Sequence, residues 1–122
     1  MSWTGSITDA ARANADFRQV LTTGPHAQLV LMSIPAGEEI GEEVHDDVDQ
    51  VLSFVEGDGE TILDDVPSRV AGGDLVFVPA GTKHNVRNAG TGDLKLYTVY
   101  SPPEHPDGTV HATREEAEAA EH

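Results

Sequence analysis

The chain has 122 residues, 22 Asp and Glu against 7 Lys and Arg for a net charge of −15, and no cysteine. That length supports one hydrophobic core rather than two ordinary domains. The charge disfavours nucleic acid and anionic membrane surfaces as partners, and the missing thiols exclude disulfides and thiolate metal sites.

No apolar run is long enough to span a bilayer, and no basic-then-apolar leader opens the sequence, so a cytoplasmic protein is expected. Lysine occurs only at Lys83 and Lys95. The acid excess is either an ordinary solvated surface or, as the scarcity of lysine favours, adaptation to high salt, where screening removes self-repulsion. On that hypothesis, folded structure should be lost at low salt and restored by KCl; a melting temperature indifferent to salt would count against it.

Residues 1–16 have weak periodicity and read as an N-terminal arm, with a helical turn possible within 10–15. Residues 17–22 and 28–34 read as strands around Thr23-Gly24-Pro25. The segment Pro35-Ala-Gly37 to His45 follows, and it places Glu43 and His45 two apart, on one face of an extended chain. After the polar break Asp46-Asp47-Val48-Asp49, Gln50 opens an apolar run over 51–55 that the turn signal Glu56-Gly57-Asp58-Gly59 closes. Residues 60–63 and 66–70 flank an Asp64-Asp65 turn. Residues 74–78 are apolar and β-branched around Phe77, as a buried strand requires. Pro79 and Gly81 then turn the chain, one fixing φ and the other tolerating positive φ, so that His84 opens the next strand from a rigid support. A last strand is expected over 94–100, after Gly90-Thr91-Gly92-Asp93, and Ser101-Pro102-Pro103 ends the barrel. A threonine N-cap and good helix formers predict a short helix over 113–120. Many short strands punctuated by Gly and Pro argue an all-β barrel or double-sheet jelly roll, with the barrel over 17–101 and a tail over 102–122.

Gly73, Pro79, Gly81, His84 and Asn88 fit the pattern Gly-x5-Pro-x-Gly-x2-His-x3-Asn at every fixed position. Gly37, Glu43, His45, Gln50 and Gly57 align with Gly-x5-His-x-His-x3–4-Glu-x6-Gly, but only the glycines and His45 match. In these two motifs the chain resembles the small single-domain cupins. The resemblance implies a double-stranded β-barrel with a metal site at Glu43, His45, Gln50 and His84, Glu43 standing where the family has a histidine and Gln50 where it has a glutamate. Asp49 is the rival oxygen donor, because the family allows one residue less at that spacing. The resemblance also implies a homodimer.

Two imidazoles, one carboxylate and one amide suit Mn, Fe, Ni or Zn as a divalent ion. An open coordination position would let that ion act as a Lewis acid on a small molecule, or open dioxygen chemistry with iron. Two functions follow: a metal-dependent dioxygenase or isomerase acting on a small polar or phenolic molecule, or a noncatalytic cupin that binds metal or ligand as sensor or carrier. Phosphate sugars rank lower, since Lys83 and Arg87 lie at odd offsets from His84 and only Arg18 and Arg69 remain to hold a phosphate. Phe54, Val76, Val86 and Leu96 are expected to give a mostly apolar wall or core. His105 and His111, in a Pro-rich tail, read as surface residues, and His26 as a turn residue.

Overall fold

The structure, a computed structural model, describes residues 2–120. In chain order the elements are α1 (Ile7–Ala13), β1 (Arg18–Thr23), β2 (Gln28–Ile34), β3 (Asp49–Glu56), β4 (Asp58–Leu63) and β5 (Val66–Ala71). They continue with β6 (Leu75–Val78), β7 (His84–Asn88), β8 (Leu94–Ser101), β9 (Val110–His111) and α2 (Arg114–Ala120). The strands form two antiparallel sheets, ordered β6-β3-β8-β2-β1-β9 and β5-β4-β7. This is the all-β jelly roll with a short C-terminal helix that the punctuated strand pattern predicts.

Alternation along the strands decides what faces the interior. On β3 the buried positions are Gln50, Leu52 and Phe54, and on β7 they are His84, Val86 and Asn88. Thus β3 gives Leu52 and Phe54 to the core with the polar Gln50 near its start, while β7 gives the single apolar Val86, with His84 at its start and Asn88 buried as well at its end. Phe54, Val86 and Leu96 lie in the buried core with Val76 packed against it.

An extended segment over residues 38–45 runs antiparallel to β7. The Ile40 N–H donates to the Val86 carbonyl at 2.9 Å, and Glu43 and His84 exchange backbone bonds of 2.8 and 2.9 Å. The Gly81 N–H then donates to the His45 carbonyl at 2.8 Å, tying the Pro79-Gly81 turn to the same segment. Gly81 has a φ of 86°, in the left-handed region that the turn requires. Gly57 also has positive φ, and a Cβ there would stand 2.7 Å from the Asp93 carbonyl oxygen. That glycine is needed for the close approach of two loops.

The motif's last residue has a structural task. Asn88 donates from Nδ2 to the carbonyls of Ile34 and Gly92, both at 2.8 Å, and its Oδ1 accepts the Gly90 N–H at 2.8 Å. One buried amide thereby fastens the loop before β8 to the end of β2.

Both ends of the chain contribute more regular structure than their sequences advertise. The N-terminal residues form α1, in which Ser6 Oγ accepts from the Asp9 N–H at 3.3 Å and Ala11 is buried. The helix contacts β2, β3 and β8, and Lys95 Nζ donates to the Asn14 carbonyl at 2.6 Å just past its end. Beyond Pro103 the chain returns as β9, which pairs with β1 through Arg18 opposite His111. At the start of α2, Thr113 Oγ1 accepts from the Glu116 N–H and Glu116 Oε2 accepts from the Ala112 N–H, closing a reciprocal cap. Among the described residues no helix is long and apolar enough to cross a membrane.

Candidate functional site

Glu43, His45 and His84 come together where the 38–45 segment crosses the start of β7. One potential ligand atom from each lies within 4.8 Å of the others. The backbone explains the convergence: Glu43 is bonded directly to His84, and His45 is two residues on, so both side chains of the segment project to the same side. The His45 and His84 rings are 5.3 Å apart between centroids.

The ring atoms are prepared differently. His84 is 5 % exposed, and its Nδ1 lies 2.9 Å from the Thr82 carbonyl. A carbonyl only accepts, so Nδ1 carries a proton, and the neutral form of the ring has its lone pair on Nε2. His45 is held between two carboxylates, with Nε2 2.9 Å from Glu43 Oε2 and Nδ1 3.4 Å from Glu104 Oε1. The hydrogen bond to Glu43 raises the His45 pKa above its ordinary value, against the effect of burial. Burial alone would push the Glu43 carboxyl up, but the bond from His45 and the charges of His45, Arg18 and His84 bring it below the ordinary value. The two groups share a proton where each could instead share a cation.

Gln50 is 3 % exposed and points inward from β3. Its Nε2 donates to Thr98 Oγ1 at 3.3 Å, while its Oε1 is buried without a hydrogen-bond partner. Gln50 stands opposite Tyr100 in the β3–β8 register, and the Tyr100 ring lies 6.1 Å from that of His45. Cross-strand partners share a face, so the amide borders the same interior region. Asp49 differs: it is exposed, and its Oδ1 accepts the Ala80 N–H at 2.8 Å. Its carboxylate is engaged in holding the turn before His84. Lys83 and Arg87 point away from His84, pairing with Asp65 at 2.8 Å and with Glu39 at 3.3 Å.

A cavity of about 520 Å³ opens beside the cluster, lined chiefly by Arg18, Glu43, His45, Glu104, His105 and His111. Val44, Pro106 and Ala120 also line it, so the expectation of a mostly apolar pocket is corrected to a lining in which polar and apolar surface are about equal. Of the two places expected for Phe54, Val76, Val86 and Leu96, wall or core, they take the core between the sheets, and the return of the chain after Pro103 lays polar side chains over the opening. The placing of His105 and His111 on the surface is corrected too. Gln28, buried on β2, accepts the His105 N–H at 3.0 Å through Oε1 and donates from Nε2 to the His105 carbonyl at 2.7 Å, which pulls this part of the tail inward. His105 stacks edge-on against Tyr100 at 5.1 Å. Burial, with help from the Arg18 charge, lowers its pKa to about 4, so the ring is neutral near pH 7. Burial likewise raises the Tyr100 phenol to about 12, which keeps it protonated.

Tyr100, Glu104, His105 and His111 were not legible as site residues, and Arg18 was legible only as one of two remaining candidates to hold a phosphate. One signal was present for Arg18: it lies in phase with Val20, on the buried side of β1. The donor set fits a divalent cation on three observations: the clustered Glu43, His45 and His84, the free Nε2 of His84, and the unpartnered Oε1 of Gln50.

The cupin-domain family model matches residues 30–100. Uncharacterized protein YrkC of Bacillus subtilis (strain 168) is 44% identical over 122 residues, which cover 95% of this chain and 66% of YrkC. The chain thus spans just under two thirds of that relative. Uncharacterized protein L612 of Acanthamoeba polyphaga mimivirus is 36% identical over 113 residues, covering 89% of this chain and 71% of L612. The crystal structure of BH2720 from Bacillus halodurans is similar at a TM-score of 0.96 and 42% identity, over 98% of this chain and 95% of that one.

Proposed function

This chain belongs to the cupin family, and from that premise we propose that it is a metal-binding cupin acting on a small molecule, in the manner of a dioxygenase or isomerase. Glu43, His45 and His84 would hold a divalent Mn, Fe, Ni or Zn ion, with Gln50 as a neutral fourth donor. The observation that carries this reading is the trio of ligand atoms within 4.8 Å at the edge of a cavity of about 520 Å³. When bound, the metal supplies Lewis acidity, or dioxygen reactivity if it is iron.

The chain's own residues prepare the site for such work. Thr82 fixes the His84 tautomer through its carbonyl, and Glu104 orients the His45 ring from the opposite nitrogen. Tyr100 stays protonated, so it packs behind His45 and His105 as a neutral ring rather than acting as a base. The amide at Gln50 adds no charge, so the cation keeps more of its electrophilicity and is held less tightly than by a glutamate. That weaker hold also favours the second reading, a noncatalytic cupin that senses or carries metal or ligand.

Metal analysis of untagged protein, purified without added metal or chelator, tests the proposal. Wild type should carry a transition metal, and His84→Ala should lose more than about a hundredfold in affinity by chelator competition, because outer partners of ligands alone contribute 10–100-fold. Equal affinity in the two proteins would remove the metal reading. Turnover by metal-loaded protein separates enzyme from carrier.

We also assign the expected homodimer contact to the outer face of β6. Leu75 and Phe77 are 62% and 55% exposed there, and Phe77 lies in register with Val51, itself opposite Val99. Sedimentation should show a dimer for wild type and a monomer for Phe77→Asp; a wild-type monomer at high concentration would refute it.

A further inference from the structure

Arg18 is the one Arg or Lys lining the cavity among the described residues, and it is 2 % exposed. It belongs to none of the ion pairs among those residues. Its recorded contacts are weak ones. Nη1 stands 3.5 Å from His111 Nδ1, and the guanidinium carbon lies 5.5 Å from the centre of the Phe17 ring. Its Nε is buried without a hydrogen-bond partner. A guanidinium taken out of water with no carboxylate in ion-pair contact is costly, and buried charges are ordinarily paired.

A second orphaned atom lies in the same cavity lining. His105 Nε2 is also buried without a partner, on a ring fixed by the Gln28 clamp on its backbone and by its edge contact with Tyr100. Two polar groups on separate elements, both short of a partner and both belonging to residues that line one cavity, describe a site with a missing component, and Arg18, which can only donate, requires that it be an acceptor. A planar guanidinium is matched in shape and charge by a carboxylate.

We propose that Arg18 and His105 form a carboxylate-binding subsite, which holds the acid group of a small monoanionic ligand whose other end reaches the Glu43, His45 and His84 cluster. This rests on the metal reading above, through charge. In the cavity lining, Arg18 and a divalent cation together oppose Glu43 and Glu104, which leaves one net positive charge. A single carboxylate neutralises it, whereas a phosphate dianion overfills it. His105 adds no charge near neutral pH, since its pKa is lowered to about 4 by burial. The overall acidity of the surface does not oppose such a ligand, because exposed charges are screened over a Debye length at working salt.

Benzoate and benzamide share size and ring but differ in charge, and inorganic phosphate supplies the other oxyanion. Isothermal titration of each into metal-loaded protein, at fixed pH and KCl, reads the subsite directly, with metal content measured on the same samples. Saturable benzoate binding is expected, with benzamide and phosphate each at least about tenfold weaker. Arg18→Gln should bring benzoate down to the level of benzamide with metal content unchanged, and Arg18→Lys should retain part of the preference. The proposal is overturned by no saturable benzoate binding, by equal benzoate and benzamide binding, by phosphate binding more tightly than benzoate, or by unaltered benzoate binding in Arg18→Gln. If Arg18→Gln does not fold, the three ligands on wild type decide alone. A preference for benzoate in protein that retains no metal would uphold the subsite and refute the metal reading, so the two fail separately.

Discussion

The wall of the cavity that carries Glu43 and His45 is assembled by backbone bonds between adjacent extended segments, whereas the wall that carries Arg18, His105 and His111 is gathered from near the two ends of the chain. On the first wall, the Glu43–His84 bridge and the Gly81–His45 bond fix the side chains by sheet geometry. On the second, β9 contributes only two residues of pairing to β1, and the chain between Pro103 and Val110 is held by one further backbone bond, from the Val20 N–H to the Thr109 carbonyl at 2.9 Å, and by side chains. A metal cluster needs its donors fixed to within fractions of an ångström, and sheet bonds supply that. A wall that admits and releases a ligand is better served by a strap with few anchors, since segments with few buried contacts open first.

The contrast predicts that the strap can be released while the first wall stays intact. Gln28 is the buried anchor: besides its two bonds to His105, its Oε1 lies 3.3 Å from the Glu104 N–H and its Nε2 donates to Thr23 Oγ1 at 3.0 Å. Gln28→Leu keeps the volume but strands the backbone groups of the strap. A stability loss of about 3 kcal/mol is expected from urea unfolding, at roughly 1–3 kcal/mol for each polar group left unsatisfied. Metal affinity should change much less than in His84→Ala. A loss below about 1 kcal/mol would mean that β9 alone holds the strap, since a single net hydrogen bond contributes about that much.

The second expected effect concerns pH, and the walls differ in sign. In chelator-treated protein, His45 has a folded pKa raised above 6.5, so its contribution is complete below that value and is lost as pH rises through the raised one. His105 is the reverse. Its folded pKa of about 4 lies below its ordinary 6.5, so its neutral form favours the folded state above pH 6.5, and that advantage is lost as pH falls from 6.5 to about 4. Discounted for partial contact with solvent, the acid-side loss is about 2 kcal/mol. His105→Gln should flatten stability over that window, measured as urea midpoint against pH. An unchanged acid limb would assign the loss to carboxylates instead.

The same contrast explains what the sequence disclosed. The turn at Pro79 and Gly81, the alternation through His84, Val86 and Asn88, and the inward register of Gln50 are local, and each follows from φ restrictions or the two-residue period. The strands and the jelly-roll class were legible for the same reason, but the strand read as buried over 74–78 is corrected: β6 lies at the sheet edge with Leu75 and Phe77 exposed. Arg18 and His111 are 93 positions apart, and only the pairing of β1 with β9 brings them together. His105 lies among prolines with an Asp and a Gly following, a composition that ordinarily marks a solvated loop, and nothing in it announces a glutamine clamp 77 positions away. Of helix α1 only a turn within 10–15 was legible, because the helix buries only Ala11, which gives almost no apolar periodicity.

A smaller effect sharpens the account of the first wall. Gln50→Glu gives the cation an anionic oxygen where the amide oxygen lacks a partner. Divalent metal should bind about tenfold more tightly, since a unit charge at ligand distance outweighs an amide dipole even after the cost of burial. Chelator competition at fixed pH and salt measures it. Unchanged affinity would place Gln50 beyond direct coordination, next to metal-bound water at most.

The least effect is expected at the one ion pair that joins the walls, Glu104 on the strap and His45 on the cluster. Their separation of 3.4 Å and the one-third exposure of the Glu104 side chain both weaken it, the first by geometry and the second by solvent screening. A well-aligned carboxylate behind a metal-binding histidine contributes 10–100-fold to affinity, so this one should fall below that range. Glu104→Gln is therefore expected to weaken metal binding only about three- to fivefold, because the change removes a charge that acts on His45 at 3.4 Å without a hydrogen bond. A loss as large as that of His84→Ala would show that the walls are one unit, with the strap setting the orientation of His45. No loss at all would show that the 38–45 segment positions His45 unaided, and that the strap serves the ligand rather than the metal.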